Sequence, residues 1–163
     1  MKRHFVKVKD LKRLVEVLPK PLQDRLVERL PRKFGVEVCR VEDSFRIYLV
    51  DGKPFLLVDR DGRVMPPLTA FETLTLLPWI VVDRGAIPYI CNGADVMRPG
   101  IVQVERDFDK NSLVVVVDVD YRKPLALGIA LLSSQEVRRS ERGKMIKTIH
   151  HVGDKIWNFY RNF

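Results

Sequence analysis

Residues 83–102, DRGAIPYICNGADVMRPGIV, constrain the fold more tightly than any other stretch of this chain. Asp83 is suited to cap a helix through its side-chain oxygen. Pro88 fits only near the start of that helix, because deeper in it would remove a backbone hydrogen bond and clash with the preceding turn. Gly93 ends the helix in a left-handed conformation, Val96 opens an extended segment, and Pro99-Gly100 breaks it. The chain must therefore make a short helix, a sharp corner and a short strand here. Small residues beside a basic side chain leave this backbone open to a phosphate or a sugar. The same corner is also common in α+β domains without such a ligand.

The flanking patterns supply the frame. Asp10 is placed to cap a helix whose apolar stripe is Leu11, Leu14, Val15 and Leu18, and Pro19 stops it. Leu22, Leu26, Val27 and Leu30 mark a second helix closed by Pro31. The cations between these stripes are either an RNA-facing surface or a solvated helix face. From Gly35 the period becomes two, with strands around Val36–Val38, 45–49 and 55–58. Asp51-Gly52 suits a tight type I′ turn, and Asp61-Gly62 is read as a second turn of that kind. Thr69 with Glu72 forms a capping box for a helix through Leu74 to Leu77. The valine-rich run 113–117 reads as a strand buried on both faces, and Gly128 as a bulge in its return partner. Ser133 with Glu136 is a second capping box, for a helix that Gly143 ends. This segment carries Arg138, Arg139 and Arg142, with Lys144 just beyond. Arg138 and Arg142, four apart, share a face; the cluster is the densest positive patch, suited to phosphate or merely solvated. A strand over 145–152 follows, and 156–159 close the barrel with aromatics.

The 163 residues, 46% hydrophobic and 31% charged, specify a globular chain of one domain or two small ones. The net charge of +8 fits a polyanionic partner or plain solubility, with +5 in residues 1–77 and +3 in 78–163. No apolar run approaches the roughly 18 residues a membrane span needs. The basic N-terminus lacks the apolar core of a signal peptide, so the expected compartment is the cytoplasm.

A catalytic constellation cannot be assembled. His150 and His151 adjoin on a strand and point to opposite faces, so both cannot serve one metal or one nucleophile. Cys39 and Cys91 have no ligand spacing, and Asp59 and Asp61 are turn residues. No cofactor, metal or small-molecule substrate is expected.

Residues 93–101, GADVMRPGI, preceded by Val82-Asp83-Arg84-Gly85-Ala86-Ile87, resemble the signature of the PUA domain of pseudouridine synthases and archaeosine transglycosylases. The closing run from 125 to 157, with Gly143-Lys144 and HHVGDKIW, resembles the same domain. The 45–58 hairpin and Pro66-Pro67 upstream are similar to one branch, the malignant T-cell-amplified sequence family of translation factors and its archaeal relatives. That resemblance implies an α+β chain: an N-terminal α/β pre-PUA domain at 1–77, then a PUA-type mixed β pseudo-barrel with short helices at 78–163. It also implies RNA binding at Arg84, Gly85, Gly93, Ala94, Arg98, Pro99 and Gly100, with Lys144 and the closing strand as further contacts; the arginine cluster at Arg138, Arg139 and Arg142 is a candidate on its charge alone. Pro88 departs from the family pattern, in which a polar or basic residue is frequent. The expected partner is RNA, either the acceptor end of tRNA or small-subunit rRNA, with a density-regulated-type protein beside it. The expected role is non-catalytic, in translation initiation, re-initiation or recycling. The alternatives are an RNA-targeting subunit of a modification enzyme such as archaeosine transglycosylase, and a protein–protein adaptor.

Overall fold

The period-two pattern after Gly35 becomes an antiparallel sheet, and the two leucine stripes before it become its helices. The computed structural model describes residues 2–163. They divide into two compact units, one running to Leu76 and including Phe159–Phe163, the other Leu77–Asn158.

The first unit contains β1 (Arg3–Val6), α1 (Val8–Val15), α2 (Lys20–Glu28), β2 (Val36–Val41), β3 (Phe45–Val50), β4 (Lys53–Val58), β5 (Val64–Met65) and the single-turn α3 (Phe71–Leu74). Its five strands lie in chain order, each antiparallel to the next. The helices bury Leu11, Val15, Leu22 and Leu26. Asp51 (φ 48°) and Gly52 (φ 82°) make the tight turn between β3 and β4.

Three local expectations change. The N-cap of α1 is Lys7, so Asp10 stands in the first turn, where its charge still complements the helix dipole. At Asp61-Gly62 only the glycine has positive φ, while the Asp59 carboxylate accepts from the backbone N–H groups of Asp61 and Arg63, both at 2.9 Å. This is a longer loop organised by Asp59, not a second type I′ turn. Ala70 donates to Pro67 O in a turn that includes Thr69, so Ala70 is the N-cap of α3 and the Thr69–Glu72 box does not form. Strand β1, a short and charged edge strand, had no clear signal. The aromatic end of the chain also belongs to this unit rather than to the second: Phe159 and Phe163 pack at 5.0 Å between centroids, and the Arg3 guanidinium lies 5.7 Å from the Phe163 ring centre.

The second unit contains β6 (Trp79–Val82), α4 (Ile87–Ile90), β7 (Val96–Met97), β8 (Ile101–Glu105), β9 (Leu113–Asp118), β10 (Pro124–Ala130), α5 (Ser134–Arg139) and β11 (Lys144–His151). The last helix, α6 (Lys155–Tyr160), begins in it. The sheet order is β7-β11-β10-β9-β6-β8, with β6 and β9 parallel and the other pairs antiparallel. Val114 to Val117 are fully buried, as four consecutive valines require. At Gly128 the β10–β11 register shifts, and a Cβ there would lie 2.4 Å from Ile146 Cγ2 and 2.8 Å from Lys147 O. The Ser133–Glu136 capping box is complete. However, α5 ends at Ser140, whose backbone turns extended; Gly143 (φ 101°) comes later, at the entry to β11. Arg142 is therefore outside the helix and shares no helical face with Arg138.

Candidate nucleic-acid interface

The corner is built by short-range bonds that its sequence supplies. The Asp83 carboxylate accepts from Ala86 N at 3.0 Å, which starts a 3₁₀ turn, Arg84–Ala86, that runs into α4 with Pro88 at its N-terminal positions. Gly93 (φ 93°) reverses the chain, and Ala94 N then donates to Tyr89 O at 2.9 Å. A second 3₁₀ turn, Arg98–Gly100, returns the chain so that Asp83 N reaches Gly100 O at 2.9 Å. The two arms touch where a Cβ on Gly100 would lie 3.1 Å from Ala86 Cβ. Strand β11 anchors the corner from the far side: Thr148 donates to Asp95 Oδ1 from its backbone and to Ala94 O from its hydroxyl.

Between the arms is a cleft of about 430 Å³ lined by Asp83, Gly85, Ala86, Tyr89, Ile90, residues 94–97, Pro99 and Gly100. Its lining is mostly apolar, and Tyr89 (70% exposed) and Met97 (46%) stand largely in solvent. No Lys or Arg is among its lining residues. Four of the residues singled out from the sequence, Gly85, Ala94, Pro99 and Gly100, line this cleft, and Gly93 makes the turn behind it. Tyr89 and Met97 escaped the sequence reading. Tyr89 was accessible to it: Ile87 and Ile90 mark the inner face of α4, which leaves Tyr89 outward.

The cations fare differently. Arg84 is 80% exposed and makes a two-pronged contact with Asp120, at 2.6 and 3.0 Å. That hydrogen bond and the Asp120 charge raise the arginine further, and the same contact holds the Asp120 carboxyl below its usual range. Lys144 sits 3.3 Å from Asp95 and is exposed. Arg98 is half-buried, with Nε donating to Val137 O at 2.8 Å and a terminal nitrogen to Ile101 O at 3.2 Å. Two of its three guanidinium nitrogens are thus bonded to backbone carbonyls and join β8 to α5, a structural contact the sequence did not indicate. Arg138 bridges to Asp107 at 2.7 Å, which lowers that carboxyl, and also donates to Val104 O. Arg139 and Arg142 are exposed, Arg138 is turned to Asp107, and Arg142 lies beyond the end of α5.

The two histidines do face opposite ways. His150 is fully buried with Nδ1 2.7 Å from Asp154 Oδ2, whereas Nε2 of His151 lies 3.4 Å from where a Cβ on Gly93 would be. Burial raises the Asp154 carboxyl, but the His150 contact and the backbone N–H groups of Trp157 and His151 outweigh it and hold the group below its ordinary value. Among the described residues no group of three or more His, Cys, Asp or Glu side chains is arranged to hold a metal ion, and no helix is long and apolar enough to cross a membrane.

Residues 78–152 match the PUA domain family. An uncharacterized protein of Methanocaldococcus jannaschii is 41% identical over 97% of this chain and 96% of its own length. Translation machinery-associated protein 20 of Saccharomyces cerevisiae is 31% identical over 90% of this chain and 84% of its own. The crystal structure of a hypothetical protein from Pyrococcus horikoshii superposes with a TM-score of 0.80 at 34% identity, covering 98% of this chain and 99% of that one. The chain belongs to the family of PUA-domain proteins that includes Translation machinery-associated protein 20 and the Malignant T-cell-amplified sequence 1 homolog of Drosophila melanogaster.

Proposed function

We propose that this protein is a non-catalytic, translation-associated RNA-binding protein that takes a single-stranded RNA end, the acceptor end of tRNA, in the cleft between Asp83 and Gly100. One observation carries the reading: an open, mostly apolar cleft with Tyr89 and Met97 exposed on it, with the exposed Arg84 next in sequence to the lining residues Asp83 and Gly85, and the exposed Lys144 paired with the lining Asp95. An unstacked base needs an aromatic or apolar wall, and the adjoining phosphates need cations outside it. The aspartates paired with Arg84 and Lys144 hold those cations in place without consuming them, because exposed ion pairs are weak and a phosphate competes for the same donors. Membership of a family with translation machinery-associated proteins supports an RNA used in translation, and binding to the small ribosomal subunit beside a density-regulated-type partner extends the same reading.

The test is fluorescence anisotropy with tRNA and with tRNA lacking its 3′-terminal CCA. Intact tRNA is expected to bind more tightly, and Tyr89→Ala to cost about 1–3 kcal/mol of that affinity, the usual worth of one stacked base. Equal affinity for the two RNAs sinks the acceptor-end reading. A pull-down that recovers a transglycosylase, or proteins without RNA, instead of ribosomal subunits favours the modification-subunit or adaptor alternative.

A further inference from the structure

The cleft has no lining cation, Arg98 is turned to backbone carbonyls, and the second unit sets twelve Lys and Arg against ten Asp and Glu, so its charges come close to cancelling. The charge lies elsewhere. Residues 2–33 hold eleven Lys and Arg against four Asp and Glu, a net +7, while residues 34–163 hold eighteen against seventeen, a net +1. Of the eleven cations all but Arg25 are exposed. Only three are ion-paired among the described residues: Arg3 with Glu37, Lys20 with Asp24, and Arg25 with Glu28. Lys2, Lys7, Lys9, Lys12, Arg13, Arg29, Arg32 and Lys33 are left without an ion-pair partner among the described residues.

From this we infer that the β1–α1–α2 segment is a second nucleic-acid surface, one that holds the phosphate backbone of duplex RNA. It extends the RNA-binding reading to a surface that the cleft does not supply. Unpaired cations concentrated on one short segment serve a polyanion, whose condensed counterions they release on binding. A lipid surface fits less well, because the apolar stripe that would insert is already used inside: Leu11, Val15, Leu18, Leu22 and Leu26 are all buried. A protein partner also fits less well, since five of the eight cations are lysines, which protein interfaces exclude. The exposed side chains of Lys7, Lys9, Lys12 and Arg13 follow one another along the start of α1, so the segment acts as a row of point charges that grips backbone without reading sequence.

The experiment measures binding of the full chain to a blunt RNA hairpin, which has no single-stranded end for the cleft, between 50 and 300 mM salt. The variant Lys7→Gln, Lys9→Gln, Lys12→Gln, Arg13→Gln keeps good helix formers at exposed positions. Its slope of log K against log salt is expected to be shallower than that of the native chain by about three and a half units, at about 0.9 per lost contact. A control, Lys53→Gln, Lys110→Gln, Lys123→Gln, Lys147→Gln, removes the same charge elsewhere and should leave the slope close to the native value. An unchanged slope in the first variant overturns the proposal, as does an equal drop in the control. Tighter binding to polyglutamate or to phosphatidylserine vesicles than to the hairpin replaces RNA by a protein or a membrane. Tyr89→Ala separates the two surfaces: it should leave hairpin binding intact, so the cleft reading and this one can fail independently.

Discussion

Arg84 and Arg98 flank the same corner and do opposite work. Arg98 spends its guanidinium on Val137 O and Ile101 O, and a half-buried charge that lost those acceptors would have no substitute. Arg98→Ala should therefore lower stability by about 2–3 kcal/mol in urea denaturation, because two charge-assisted hydrogen bonds are lost and two carbonyls stranded. RNA affinity measured where the variant is still folded should hardly change. Arg84→Ala should do the reverse, leaving the melting temperature in place and weakening tRNA binding with a shallower salt dependence. If Arg98→Ala proves as stable as the native chain, the carbonyl contacts are incidental. Sequence alone could not separate the two arginines, since each adjoins a small or rigid residue. What decides is a carbonyl 39 positions away from Arg98 and a carboxylate 36 positions away from Arg84.

At the level of elements, devices written within four or five residues were legible and those set by a neighbour were not. The Ser133–Glu136 box, the Asp51-Gly52 turn and the glycine at the end of α4 all form as their local chemistry requires. The Thr69–Glu72 box fails because the turn begun at Pro67 claims Thr69 first. A comparable device ties the end of β11 to α6. There the Asp154 carboxylate takes the His150 ring and the backbone N–H groups of His151 and Trp157, at 2.7, 2.9 and 2.8 Å. Because its folded pKa is depressed, this group stabilises above the ordinary carboxylate pKa of about 4 and loses that contribution as pH falls through the lower folded value. Asp154→Asn should cost about 1–3 kcal/mol at pH 7, and the gap from the native chain should shrink below about pH 4. A gap of constant size from pH 7 to pH 3 would show that the carboxylate charge plays no part.

At the level of the molecule, the two units differ in what they hold. The second has its own apolar centre, drawn from Ile80, Val82, Val116, Ala126, Val137 and Ile146, and holds the whole cleft. A fragment Leu77–Asn158 should therefore melt cooperatively and keep its preference for a single-stranded 3′ end. With twelve Lys and Arg against ten Asp and Glu, it should also bind RNA with much less salt dependence than the full chain. A non-cooperative melt would mean that the unit leans on the rest of the protein. The β3–β4 pairing of the first sheet could be read from its turn, whereas the β1–β2 pair across two helices, the parallel β6–β9 pair and the distant β7–β11 pair could not, because no local signal names a partner so far along the chain.

That last pairing bears on how the protein is made. Strand β7 has a single neighbour in its sheet, β11, which begins at Lys144. While the ribosome is still adding the intervening residues, Val96 and Met97 have no ladder to join, and Asp95 and Ala94 have no Thr148 to hold them. The corner that bears the family signature is thus completed only after β11 has been made. A chain released before residue 144 carries every residue of the cleft and the short-range bonds between its arms, but lacks the strand that holds β7, Asp95 and Ala94 from the far side.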